Sequence, residues 1–146
     1  MRKLLFIVLG LIWYVQIHAK VIHVGKGEKC TSIKQAIFKA IPFDTIQVQP
    51  GIYKEGNIIV DKSIYLKGIN KPILDGQKKY EILSVKADNV IIEGFSIVHS
   101  GISAIDDYAG IKLYDCSNVE IRNNILDDTY FGIYVQFGKN CKIIGN

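Results

Sequence analysis

The chain has 146 residues, a formal charge of +4 from 18 basic and 14 acidic side chains, and apolar residues at 49%. That is enough apolar material for one domain with one core. Lys and Arg are scattered along the chain in runs of no more than two, which argues against a phosphate-backbone binder, since such proteins concentrate them on one face.

At the N-terminus Arg2 and Lys3 precede an uncharged run from Leu4 to Val15 and a short polar stretch ending at Ala19. This layout predicts a secretory signal peptide over 1–19, with an apolar core shorter than the roughly 20 residues a spanning helix needs. The alternative is an uncleaved anchor, because Ile17 is bulky for the third position before the cut. A mature chain from Lys20 is expected to be exported, and the compartment expected is the periplasm.

Residues 20–44 read as an N-terminal strand and a capping helix. Ser32 followed by Gln35 reads as a capping box, and Ile33, Ala36, Ile37, Ala40 and Ile41 fall at helical spacing, so a helix is expected over Ser32 to Ala40. A short helix of this kind covers the open end of a stack of strands. A strand follows from Thr45 to Gln49, ending in the turn residues Pro50 and Gly51.

Residues 45–146 carry a repeat. Shifted by 22 positions, Tyr108 meets Tyr130, Gly110 meets Gly132, Ile111 meets Ile133, Asn118 meets Asn140, Ile121 meets Ile143 and Asn124 meets Asn146. Within each unit apolar residues alternate with polar ones, which places Ile111, Ile121, Ile133 and Ile143 in one core and points Lys112, Glu120, Arg122 and Tyr134 outward. The expected fold is all-β: a right-handed parallel β-helix of about 22 residues per coil, with Asn124 and Asn146 at equivalent turns. The spacing from Asn89 to Asn118 is 29, and the surplus of seven predicts a loop around Asp106 and Asp107. The last unit stops at Asn146 without a polar terminal repeat, so further coils are expected beyond it.

The segments "TSIKQAIFKAIPFDTIQVQPGIYKEGNIIVDKSIYLKGI", "PILDG", "YEILSVKADNVIIEGFSIVHSG" and "AGIKLYDCSNVEIRNNILDDTYFGIYVQ" together resemble the NosD-type periplasmic proteins. The resemblance runs from about Val21 to Asn146. It implies a non-catalytic accessory in copper-site maturation of nitrous oxide reductase, working with an ABC-type transporter, and touching the membrane only through such partners. The opening segment is also similar to pectin methylesterases, but the catalytic "QDTL" and "WGR" strings of that family do not occur in the chain.

Copper sites favour His, Cys and Met, and the mature chain offers His23, His99, Cys30, Cys116 and Cys141 without a metal-ligand spacing. The cysteines read as buried apolar residues, as ligands, or as one disulfide with one thiol left over. Candidate metal ligands are His99, Asp106, Asp107 and Asp128. The 22-residue repeat is expected to bring Asp106 and Asp128 onto adjacent coils, where clustered carboxylates suit calcium or, held across a bond, glycoside hydrolysis; as turn residues they have an ordinary explanation too. Tyr114 and Tyr134 are candidate ligand-binding residues, because outward aromatics stack on sugar rings. A polysaccharide-binding or polysaccharide-processing β-helix is therefore the alternative function, and no catalytic residue is assigned.

Overall fold

The computed structural model describes residues 19–103 and 105–146. The predicted leader lies outside them, apart from Ala19.

The chain winds through three parallel sheets. The first stacks β1 (Val21–Val24), β2 (Thr45–Val48), β5 (Tyr65–Gly68), β8 (Ile91–Glu93), β11 (Glu120–Arg122) and β14 (Lys142–Ile144) in that order. The second stacks β3 (Ile52–Tyr53), β6 (Ile73–Asp75), β9 (Ser96–Val98) and β12 (Ile125–Asp127). The third stacks β4 (Ile58–Val60), β7 (Leu83–Val85), β10 (Ala109–Tyr114) and β13 (Phe131–Gln136). Each of the four complete coils contributes one strand to each sheet, while β1 and β14 add to the first sheet alone, which makes the molecule a β-solenoid.

Register follows the apolar alternation. Ile46, Leu66, Ile92, Ile121 and Ile143 form one inward column, and Ile58, Leu83, Ile111 and Ile133 another. The members of these columns from Ile46 to Ile121 are at most 1% exposed. Burying each such side chain stabilises by roughly 1.5–3 kcal/mol, against about 0–1 kcal/mol for an exposed ion pair, so these columns dominate the fold. The expected core position of Ile143 is only half met: it is 50% exposed, because β14 has a strand on one side alone.

Coil length varies more than the repeat suggested. Thr45 pairs with Tyr65, Tyr65 with Ile91, Ile91 with Glu120 and Glu120 with Lys142, so successive coils take 20, 26, 29 and 22 residues. The strands keep register while the corners absorb the difference. Left-handed backbone recurs in columns at those corners: Asn89, Asn118 and Asn140 at one, His99 and Asp128 at another. The three asparagines also share side-chain hydrogen bonds at 3.3 and 3.5 Å. Gly94 is required where it stands, because its φ is +85° and a Cβ there would lie 2.5 Å from the Gly68 carbonyl oxygen.

The helix α1 (Ile33–Lys39) packs against β1, β2 and β4 with Ile33, Ala36 and Ile37 buried. Ser32 is its N-cap and accepts from the Gln35 N–H at 3.3 Å. The side chain that completes the cap is not the Gln35 amide but the Glu55 carboxylate, from the next coil: it accepts from Ser32 Oγ and from the N–H groups of Ile33 and Lys34 at 2.6, 2.8 and 3.0 Å. At the other end Lys62 Nζ donates to the carbonyls of Ile37, Phe38 and Ala40 at 2.8–2.9 Å. Two opposite charges thus sit at the ends of the helix dipole that favour them. No helix among the described residues is long and apolar enough to cross a membrane.

Candidate functional site

The outer face of the third sheet carries polar chemistry. Ser84, Lys112 and Tyr134 lie in one outward column, with Tyr114 and Gln136 in the next. Asp106 and Tyr108 lie beside them, and a cleft of about 300 Å3 lies between, lined by Asn57, Glu81, Lys86, Asp106 and Tyr114 among others.

Lys112 points out of the core as expected, yet it is not exposed. Its side chain is 6% accessible and that of Glu81 7%, with 3.9 Å between Nζ and Oε2. Lys112 Nζ also donates to the Asp106 carbonyl at 2.8 Å and lies over the rings of Tyr114 and Tyr134, 4.8 and 5.1 Å from their centroids. The loop and two aromatic rings remove from water a charge that alternation alone places at the surface. A buried pair persists only when both members are fully bonded. Glu81 meets that condition: it accepts from Ser84 Oγ and from the Tyr114 hydroxyl, and Asn57 Nδ2 donates to Ser84 Oγ at 2.8 Å. Burial first, and then the Glu81 charge, hold the Tyr114 hydroxyl protonated far above the ordinary tyrosine range.

Tyr114 and Tyr134, the candidate sugar-binding pair, do not stack on each other; Lys112 separates them. Tyr134 continues instead into an aromatic patch, with its ring 5.4 Å from Phe131 and Phe131 4.8 Å from Tyr130. Tyr130 is half exposed.

The expected pairing of Asp106 with Asp128 does not occur. The seven-residue surplus lies between Val98 and Ala109, so the residue under Asp128 is His99, 29 positions earlier, as the pairing of Asp127 with Val98 shows. Asp106 is committed to its own loop, where its carboxylate accepts from Ser103 Oγ at 3.3 Å. Asp107 is exposed on the same loop with φ +46°. Asp128 pairs with Lys78 at 3.1 Å and lies 3.8 Å from His99 Nε2, while His99 Nδ1 is 3.0 Å from Asp75. His99 is therefore hydrogen-bonded to Asp75 through Nδ1, with Asp128 near its other ring nitrogen. For Asp75, burial favours protonation, but the Gln77 N–H, His99 and Lys54 outweigh it and hold the carboxyl below its usual value.

Among the described residues no three His, Cys, Asp or Glu side chains form a group that could hold a metal ion. His99 is engaged by carboxylates, which are hard ligands, and the thiols of Cys30 and Cys116 are buried. These residues do not fit a resident copper centre. Sequence reasoning missed Glu81, Ser84 and Asn57, because none has a counterpart at the 22-residue offset and only coil stacking brings them under Tyr114.

A family model described as a right-handed β-helix region matches residues 14–146. The chain belongs to the right-handed β-helix family. Among curated proteins, this β-helix is 30% identical over 123 residues to a cell surface glycoprotein of Methanothermus fervidus. The match takes in 82% of the chain but 19% of the glycoprotein, so the chain spans about a fifth of that relative's length. No solved structure matches it.

Proposed function

We propose that this β-helix is a non-catalytic recognition scaffold acting outside the cytoplasm, with the outer face of the third sheet as its contact surface. The observation that carries the reading is the commitment of the cleft's carboxylates. Glu81 is taken up by Ser84, Tyr114 and Lys112, and Asp106 by Ser103, whereas acid–base hydrolysis needs two carboxyls free to face a scissile bond. The half-exposed aromatic patch of Tyr130, Phe131 and Tyr134 beside the cleft supplies contact area of the kind that recognition surfaces use. The likeness to a cell surface glycoprotein supports export, as does the charged-then-apolar N-terminus.

Glycan-array binding and calorimetry on wild type and Tyr134→Ala test this reading. Binding of a glycan or a surface partner, weakened at least tenfold by Tyr134→Ala and without turnover, supports it. Release of reducing ends or unsaturated product from any polysaccharide overturns it.

A narrower reading rests on the segments that resemble the NosD-type proteins: an accessory in copper-site maturation of nitrous oxide reductase, partnered by an ABC-type transporter. In that reading copper is cargo delivered elsewhere and not a group held by this chain. Deletion of the gene followed by metal analysis of nitrous oxide reductase separates the two. An enzyme lacking its copper supports the narrower reading; a fully metallated one leaves polysaccharide recognition as the better account.

A further inference from the structure

We propose that Cys116 and Cys141 are an oxidisable pair that closes into a disulfide between successive coils, with Cys30 left as a free thiol. The corner from β10 to β11 lies directly under the corner from β13 to β14. Ser117 bridges Lys139, the Lys139 N–H donates to the Cys116 carbonyl at 3.0 Å, and Ile121 pairs with Ile143. That register sets Gly138 over Cys116, and Gly138 has no side chain. The missing volume is taken by Val135 and by sulfur: a Cβ built on Gly138 would lie 2.6 Å from Val135 Cγ1 and 3.0 Å from Cys141 Sγ. Cys141 thus turns its thiol toward the position stacked on Cys116, with its Sγ donating to the Lys139 carbonyl at 3.5 Å. Stacked coils are about 4.8 Å apart, so the Cys141 sulfur, held beside Gly138, lies one coil step from Cys116.

Cys30 is excluded by distance. It pairs beside Val24 on β1, at the opposite edge of the first sheet from β14. Five inter-strand steps put the two edges about 24 Å apart.

The environments of the two thiols set the order of reaction. Cys116 is 1% exposed, and burial first, then the neighbouring Cys141, push its thiol up to about 11. Cys141 is only half-buried. With a small-molecule disulfide such as oxidised glutathione as oxidant, the Cys141 thiolate attacks one glutathione sulfur and releases one reduced glutathione. Cys116 then loses its proton and attacks the Cys141 sulfur of the mixed disulfide, releasing the second. Two thiols are oxidised and one glutathione disulfide is reduced. The bridge closes a loop from Cys116 to Cys141 and ties the half-exposed β14 coil to the buried one beneath it.

The test is oxidation of the purified full chain in glutathione buffer, followed by alkylation, peptide mapping and thermal unfolding. The expected product has lost two hydrogens, contains a Cys116–Cys141 linked peptide with Cys30 alkylated, and melts roughly 5–15 °C higher than the reduced form. Cys141→Ser should abolish both the link and the shift, Cys116→Ala should stop at a glutathione adduct on Cys141, and Cys30→Ser should oxidise as wild type does. Alkylation of both Cys116 and Cys141 under oxidising conditions, or a bridge that includes Cys30, would overturn the proposal.

Discussion

The Tyr114 hydroxyl lies 3.1 and 3.0 Å from the two carboxylate oxygens of Glu81, a residue 33 positions away whose side chain is almost wholly buried. The contact joins two coils on their outer face. Tyr114→Phe removes a donor from a buried carboxylate and is expected to cost about 1–3 kcal/mol. Lys112→Met removes the cation paired with the carboxylate and should cost more, about 3–5 kcal/mol. Urea unfolding of both variants checks this; a Lys112→Met protein as stable as wild type would show that the pair contributes nothing net.

Glu55 is expected to act as the helix cap in place of Gln35. Glu55→Ala should destabilise by about 1–2 kcal/mol, whereas Gln35→Ala should change stability by less than about 0.5 kcal/mol. Hydrogen exchange at the Ile33 and Lys34 amides reads the effect directly, since Glu55→Ala should speed their exchange before that of β5 and β8. Equal effects of the two substitutions would return the cap to the local pattern.

Asn124 is 2% exposed and completely bonded: its Oδ1 accepts from the Phe95 N–H at 3.0 Å and its Nδ2 donates to the Ile92 carbonyl at 3.2 Å. Asn146 repeats the arrangement one coil on, donating to the Ile121 carbonyl at 2.9 Å. Asn124→Ala should cost about 1–3 kcal/mol by stranding those backbone groups. Asn124→Asp, which keeps the acceptor and loses the amide donor, should be no milder. Denaturant midpoints decide it, and a neutral Asn124→Ala would mean that water replaces the amide there.

Acid should weaken the outer-face networks. The Asp75 carboxyl is held low for the reasons given above, and the Tyr65 hydroxyl, with Arg122 and Asn123, holds the Glu93 carboxyl low against its burial. In the unfolded chain both titrate near their ordinary values of about 3.9 and 4.3. As pH falls, the unfolded state therefore takes up protons first. The stability these groups contribute is complete above roughly pH 5 and drains as pH drops through 4 toward their folded values. Urea midpoints at pH 7, 5 and 3.5 should fall less steeply in Asp75→Asn and Glu93→Gln than in wild type; parallel declines in all three proteins would assign the acid loss to other groups.

Alternation by two along "GIKLY" and "NVEIR" was sufficient to place Ile111 and Ile121 in the core, and the 22-residue self-match put Ile133 and Ile143 above them, because side-chain facing in a strand is a local property of the backbone. The Ser32 cap and the asparagine turns were legible for the same reason. Cover is not local. Whether outward Lys112 meets water depends on Glu81 from the coil below and on a loop whose length breaks the repeat; whether Asp128 stacks on Asp106 or His99 depends on where seven extra residues are spent. Coils of 20, 26, 29 and 22 residues bring Glu55 to Ser32 and Glu81 to Tyr114 at separations that no single period encodes. The periodicity thus names the face on which each side chain lies. Only the stacked register decides what lies against it, because inter-coil hydrogen bonding, and not chain distance, sets which residues become neighbours.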